Sequence, residues 1–312
     1  MSLVDLGSTS QRLDQFGYEM TVYQLRAYLK SNPMLRTMLH PAIVAKRATI
    51  QYKQNIRTEV LRNLAKYLAE DPILNLPEFD GVFAVDCRSD LFARIASYGF
   101  YEPRLAACCR KYLNPALDAI DVGANVGFYS NLMAKSLKGR RILAIEPTKN
   151  ALARLATNLA RNCVQDSVTI YEGVASDENG YLEINSILGK EEYSSLSELV
   201  HPSTRGQPTV KASVASSTLD SLVKEHGLRP GFIKIDVEGA EYRVLKGGQE
   251  SLSNFRPVIL SELSNTLLVQ NGSSADQVMS FVRSLGYRLV DPLDLDVDFV
   301  PRDFGDMLCL PA

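Results

Sequence analysis

Ala119-Ile-Asp121-Val-Gly123-Ala-Asn125-Val-Gly127-Phe128-Tyr129-Ser130 is the stretch whose reading decides the fold. A short apolar run containing Asp121 breaks into small residues at alternate positions. The chain then takes on helical character through Asn131-Leu-Met-Ala-Lys-Ser-Leu-Lys138. A strand, a tight glycine turn and a helix N-terminus in that order aim free backbone N–H groups at a ligand. Glycine is needed where the backbone turns sharply and lies close against its partner. The G-x-G-x-x-G fingerprint of nicotinamide dinucleotide sites is not met, because Asn125 stands at its second glycine and Phe128 at its third.

Downstream segments extend the same pattern. Arg141-Ile-Leu-Ala-Ile-Glu146-Pro147 reads as a strand ending in an acid 25 residues after Asp121. That is close to the spacing at which a Rossmann unit sets a carboxylate on ribose hydroxyls; a cap on the next helix (residues 150–161) is the alternative use of Glu146. Residues 167–171 form a further strand running out through Gly173-Val-Ala175-Ser176, followed by a hairpin-like stretch at 180–184. The polar segment 189–208, with Ser194, Ser195 and His201, has the character of a lid or substrate loop, His201 being read as a surface histidine. Residues 217–222 form a short helix, and strands follow at 232–237 and 256–262. The last strands, 287–291 and 306–310, flank an aspartate-rich stretch (Asp291, Asp294, Asp296, Asp298, Asp303). Those acids lack the spacing and glycine of a calcium loop and read as a solvated face.

Strands alternating with helices predict an α/β protein with a Rossmann-like, doubly wound, mostly parallel sheet. Ligands in such sheets bind beyond the carboxyl ends of the strands, at the topological switch point. Here those ends carry Asp121 and Gly123, Glu146, Ala175, Asp236 with Glu238, and Glu262. Phe232-Ile-Lys234-Ile-Asp236-Val237 alternates with period two, which puts Lys234 and Asp236 on one face about 7 Å apart. A lysine inside a strand covered on both faces must find an anionic partner, because an isolated buried charge is costly. It marks either a structural ion pair or a tuned active-site group.

The remainder of the 312-residue chain frames this unit. With 46% hydrophobic and 22% charged residues and a formal net charge of −2, the composition is that of a globular protein rather than a disordered or membrane-spanning one. No signal peptide is legible at the N-terminus. Five cysteines without a Cys-x-x-Cys pair suggest a reducing, cytoplasmic setting and no structural metal. Cys108 and Cys109 are helical neighbours, so at most one is expected to be buried. Apolar residues recur at helical spacing over residues 13–29 and 42–69, and residues 21–66 hold nine Lys or Arg against one acid, Glu59. A helical N-terminal extension (1–75) before a catalytic domain (76–312) is expected, the extension either capping the acceptor or forming a homodimer interface. Residues 79–86 and 90–95 read as a strand pair leading into that domain. Tyr101-Glu102-Pro103 opens a helix with proline near its first position.

Taken together, Glu102-Pro, Ile-Asp121-Val-Gly-Ala-Asn-Val-Gly-Phe-Tyr-Ser, Glu146-Pro, Thr-Leu-Asp220-Ser-Leu and Phe-Ile-Lys234-Ile-Asp-Val-Glu-Gly-Ala-Glu-Tyr-Arg-Val-Leu-Lys-Gly-Gly248 resemble the FkbM family of S-adenosylmethionine-dependent methyltransferases. The resemblance covers roughly residues 81–312. It implies a class I methyltransferase fold, S-adenosylmethionine as cofactor, and O-methylation of a small-molecule or glycan hydroxyl such as that of a sugar or polyketide. Carried over by motif, the cofactor contacts are Asp121, Gly123, Asn125, Gly127 and Glu146, with Glu102, Ala175 and Asp236 as neighbours. An aliphatic hydroxyl needs a base, or a metal, to draw off its proton. Asp236 and Glu262 are the candidates for that work, and Glu238 stands behind them. A divalent ion held by the same acids is the alternative means, though no separate metal-ligand set is legible. Three other functions remain in view: an RNA 2′-O-methyltransferase using the basic N-terminal helices, a non-catalytic S-adenosylmethionine-binding protein, and a nicotinamide dehydrogenase. Asp-Val-Glu-Gly in place of an Asn/Asp-Pro-Pro-aromatic clamp weighs against methylation of base amines, intact acids at five strand ends weigh against a silent site, and Asn125 weighs against the dehydrogenase.

Overall fold

The computed structural model describes residues 71–187, 209–301 and 304–312, together with helical positions scattered between 52 and 63. The chain divides into two units, Met1–Arg57 and Thr58–Ala312, and everything below concerns the second. Most of the basic N-terminal stretch and the whole polar segment 189–208, His201 included, lie outside the described residues.

Among the described residues one large sheet holds ten strands in the order β11-β10-β12-β9-β8-β3-β4-β5-β7-β6. Its centre is β3 (Asp118–Val122), every residue of which is buried, as expected for a parallel strand covered on both faces. β4 (Ile142–Glu146), β5 (Val168–Ser176) and β7 (Thr209–Thr218) extend the parallel sheet on one side, and β8 (Pro230–Ile235) and β9 (Val258–Leu263) on the other. Antiparallel strands close both flanks: β6 (Gly180–Ile187) beside β7, and β12 (Gly305–Pro311), β10 (Tyr287–Asp291) and β11 (Asp294–Asp298) beyond β9. Alternate residues feed two apolar layers. Ala119, Ala144 and Phe232 belong to one, and Ile120, Val122, Leu143, Ile145, Ile233 and Ile235 to the other. The fold is thus mixed α/β around a large, mostly parallel central sheet, as the strand–helix alternation predicts.

Three local expectations are corrected. The strand pair is β1 (Ile73–Leu76) with β2 (Gly81–Ala84), earlier in the chain than expected, and residues 90–95 belong to helix α1 (Asp90–Tyr98). Ser89 caps that helix by accepting from the Phe92 N–H (3.0 Å), and Leu91, Phe92, Ile95 and Ala96 form its buried stripe. The capping serine, not the apparent alternation, settles the conformation. The aspartate-rich stretch contains an edge strand, β11, whose Asp294, Asp296 and Asp298 alternate with Leu295 and Val297. Cys108 and Cys109 are both buried, because α2 (Pro103–Tyr112) packs a wide face comprising Leu105, Ala106 and both thiols. Burial pushes the Cys109 thiol well above its ordinary range, so it stays a thiol.

The amino end of the sheet is tied by Asp118. Its carboxylate accepts from the backbone N–H groups of Arg141 (3.0 Å) and Arg229 (2.9 Å) and from the Arg141 guanidinium (2.9 Å). Burial opposes the charged form, but these donors outweigh it and hold the carboxyl below the usual carboxylate range. A carboxyl lowered on folding adds stability in full above its unfolded value and loses it as pH falls through the folded one. Asp118→Ala should therefore cost about 2 kcal/mol at neutral pH. In thermal melts, the gap from the unsubstituted protein should close below about pH 4.

Candidate active site

The chain leaves β3 through β4, β5 and β7 on one side and returns to β8 on the other. The segments following β3 and β8 therefore flank the point where the winding reverses, which is where such sheets bind ligands. They are in contact. Gly123 has φ +80°, and a Cβ there would stand 1.8 Å from the Asp236 carbonyl oxygen. Only glycine permits both the conformation and the approach.

The turn from Gly123 to Gly127 is held from several directions. The Gly123 and Ala124 N–H groups both donate to the Ile145 carbonyl (3.0 Å each). The Asn125 N–H donates to Glu146 Oε2 (2.9 Å), with Asn125 at φ +48°. Glu146 Oε1 accepts from the Thr148 N–H (2.9 Å) and hydroxyl (2.6 Å), so the carboxylate at the end of β4 clasps the glycine turn and starts helix α4 (Lys149–Arg161) at once. Burial pushes its pKa up despite those donors. Asp121, fully buried beneath the turn, accepts from Ser130 Oγ (2.6 Å) on helix α3 (Phe128–Ser136) through Oδ2, and its buried Oδ1 has no hydrogen-bond partner.

Beside it stands the lysine. Lys234 is the register partner of Asp121 on the neighbouring strand. Its ammonium donates to Asp236 Oδ2 (3.0 Å) and lies 4.8 Å from the Tyr129 ring centroid. Burial alone would discharge it, but the carboxylates of Asp236 and Asp121 overcome that and raise its pKa. The Tyr129 hydroxyl donates to Glu102 Oε2 (3.1 Å), and Glu102, in a left-handed conformation just before Pro103, also meets the Arg94 guanidinium (3.4 Å). On the far side Glu262 and Asp306 are directly paired across β9 and β12. Burial, with the negative charge of Glu102 and Asp236, pushes Asp306 up to about 7. Glu262 is likewise raised, by burial and by Asp236, Glu238 and Asp306.

The segment after β8 is shaped by its own acid. Glu241 opens helix α5 (Glu241–Gly247), is buried, and accepts the Gly239 N–H (3.1 Å) on Oε1. Burial raises it to about 7. Glu238 sits at φ +51°, its carbonyl accepting from Asn271 Nδ2 (3.3 Å).

Among the residues expected from the sequence, Glu102, Asp121, Gly123, Asn125, Gly127, Glu146, Asp236, Glu238 and Glu262 are carried at or beyond the carboxyl ends of the central strands or at the head of α2. Ala175 differs: Glu172 is the register partner of Glu146, so β5 runs four residues further, and Ala175 packs into the apolar layer with Leu219 and Leu222. Asp306, Tyr129 and Glu241 join the cluster without having been singled out. Only pairing across β9 and β12 brings Asp306 in, and no spacing in the sequence reveals it. Among the described residues, no group of three or more His, Cys, Asp or Glu side chains is arranged to hold a metal ion, and no helix is long and apolar enough to cross a membrane.

An acid whose pKa rises on folding destabilises the folded state above that pKa, and the penalty fades as pH falls toward the unfolded value. Asp306→Asn should therefore raise the unfolding free energy by about 1–2 kcal/mol at pH 8. In denaturant titrations, that gain should shrink as pH falls through 7 toward about 4.

The FkbM methyltransferase domain model matches residues 121–289. A methyltransferase of Sordaria araneosa, sdnD, is 33% identical over 156 residues, 42% of this chain and 60% of that protein, so the match spans less than two thirds of that relative. Among solved structures, the FkbM methyltransferase of Methylobacillus flagellatus KT aligns with a TM-score of 0.41 at 19% identity, covering 62% of this chain and 43% of that one. The precorrin-6y C5,15-methyltransferase of Geobacter metallireducens GS-15 aligns with a TM-score of 0.39 at 12% identity, covering 68% and 89%. With its glycine turn, its strand-end acids and more than half its length inside the matched domain, the chain belongs to the FkbM methyltransferase family.

Proposed function

We propose that the protein is an S-adenosylmethionine-dependent O-methyltransferase acting on a hydroxyl of a sugar, glycan or polyketide-type small molecule. The observation that carries this reading is the glycine turn after β3, seated against the Asp236 backbone and clasped by Glu146 at the switch point of the sheet. The fit to the cofactor can be judged on the residues present. Gly123 lets the turn seat against the Asp236 backbone, Asp121 Oδ1 is buried without a partner, and Glu146 retains one acceptor site, on Oε2, beside the two donors on Oε1 and one on Oε2. Asp121, Gly123, Asn125, Gly127 and Glu146 would hold the cofactor, with Glu102 and Asp236 adjoining. When bound, S-adenosylmethionine supplies an electrophilic methyl group.

The chain's own residues then have three tasks. Displacement at a methyl carbon is in line, so holding the acceptor oxygen in position supplies much of the acceleration. The hydroxyl must also lose its proton to a base. Lys234 occupies Oδ2 of Asp236, which leaves Oδ1 of that one-third-exposed side chain to take it. Glu262 and Asp306, cross-strand partners whose carboxyls burial raises, would hydrogen-bond the acceptor's neighbouring groups, Glu262 being also a candidate to take the proton with Asp236. Glu238 is the second base in line. In this reading residues 76–312 carry the reaction.

Two measurements test it. S-adenosylhomocysteine at about a hundred times its dissociation constant should stabilise the protein by roughly 2.7 kcal/mol in a thermal shift, while NAD⁺ should leave it unmoved; the opposite result sinks the reading. With labelled S-adenosylmethionine and a panel of hydroxyl acceptors, Asp236→Asn should lower transfer by about 10²–10⁴-fold while S-adenosylhomocysteine affinity falls far less. Undiminished transfer would remove Asp236 as the base.

A further inference from the structure

We propose that Asn158, on helix α4, is a positioning residue for the cofactor turn. The inference rests on reading Gly123 to Gly127 as that turn. Asn158 is fully buried and its amide is completely used: Oδ1 accepts the Ala84 N–H (2.7 Å), and Nδ2 donates to the Ala84 carbonyl (3.1 Å) and to the Val126 carbonyl (2.9 Å). One side chain therefore grips both a peptide of β2 and the middle of the glycine turn.

The Val126 side chain packs into the apolar core, but its carbonyl needs a donor of its own. Val126 lies between Asn125 at φ +48° and Gly127 at φ +92°, two left-handed residues in succession around one apolar side chain. Such backbone persists only where the surroundings over-determine it. The Asn125 N–H is committed to Glu146 and the Gly127 N–H to the Ala124 carbonyl (2.9 Å). The Val126 carbonyl is fixed by Asn158 alone among the hydrogen bonds of the described residues. A buried carbonyl deprived of its donor would turn elsewhere and take the neighbouring peptides with it.

The molecule supplies its own control one helical turn away. Asn162 grips β2 in the same manner, its Oδ1 accepting the Val82 N–H (2.9 Å) and its Nδ2 donating to the Val82 carbonyl (2.8 Å). The match arises because four residues of helix rise about 6 Å and two residues of strand about 6.6 Å. The remaining N–H of Asn162 reaches the Asn158 carbonyl and not the turn. Both asparagines thus hold the hairpin, and Asn158 additionally holds the cofactor turn.

The experiment compares full-length Asn158→Ala, Asn158→Leu and Asn162→Ala with the unsubstituted chain. It reads melting temperature, S-adenosylhomocysteine affinity by calorimetry, and amide hydrogen exchange at residues 123–127. All three variants should melt earlier. The Asn158 variants should bind S-adenosylhomocysteine about tenfold more weakly or worse and exchange faster across the turn. Asn162→Ala should stay within about twofold in affinity and leave exchange at the turn unchanged, since its hydrogen bonds end at β2. Equal affinities at the two positions overturn the proposal. So does failure of both Asn158 variants to fold where Asn162→Ala folds, which would make Asn158 a determinant of the whole fold. An unsubstituted chain that does not bind S-adenosylhomocysteine removes the cofactor reading itself, and the proposal with it.

Discussion

A buried ammonium governs how the centre of this molecule is assembled. Lys234 lies in the middle of a strand covered on both faces, where an uncompensated charge costs several kcal/mol. The compensation comes from two directions: Asp121, its register partner on β3, and Asp236, two residues further along its own strand. Meeting both requirements fixes how β3 and β8 slide past one another. The next positions in that register bring Gly123 beside Asp236, and the Asp236 N–H donates to the Val122 carbonyl (3.0 Å), continuing the ladder into the site. The close packing of the glycine turn on the segment after β8 is thus a consequence of charge pairing one step below it.

Above that pair the balance of charge reverses. Asp236, Glu102, Glu262 and Asp306 approach one another, and directly opposed like charges across an antiparallel pair oppose folding. The structure accommodates them by burial that favours the protonated form of Asp306 and Glu262, so part of the negative charge is absent near neutrality. Carboxyls poised in this way are suited to exchanging protons, and perturbed acids gather where chemistry is done. Tolerance of such crowding at one end of the sheet contrasts with its other end, where Asp118 is fully supplied with donors and held low. The two ends of the same sheet treat a carboxylate in opposite ways, one holding it low and the other pushing it up.

How much of this was legible in the sequence depended on the range of the interactions concerned. The glycine turn, Glu146 and the Lys234–Asp236 alternation could be read because each is a local pattern with a local cause. The parallel core followed because β3, β4 and β8 are apolar runs flanked by helices. Helix α1 is ambiguous in the sequence because six residues after Ser89 are too few to separate a strand from a helix, and the capping bond to Phe92 decides for the helix. The β11 strand was missed because aspartates rarely build strands and only pairing with β10 holds it. Asp306 and Asn158 are invisible for a stronger reason: each acts through partners distant in the chain, Glu262 for the first, and both Ala84 and Val126 for the second.

Those long-range contacts explain why a turn made of small residues can be rigid. Ala124 and Val126 pack into the apolar core, but the two glycines of the Gly123-Ala-Asn-Val-Gly127 turn have no side chain and carry the largest loss of freedom on ordering. Its geometry must therefore be imposed from outside. The Ile145 carbonyl takes two of its N–H groups, Glu146 a third, Asn158 its central carbonyl, and the Asp236 backbone blocks Gly123 from the remaining side. These groups lie on β4, on α4 and just beyond β8. The turn consequently takes its shape only once β3, β4, β8 and α4 have come together, and it is then already in place when a ligand arrives. Ordering costs met during folding are not charged again on binding.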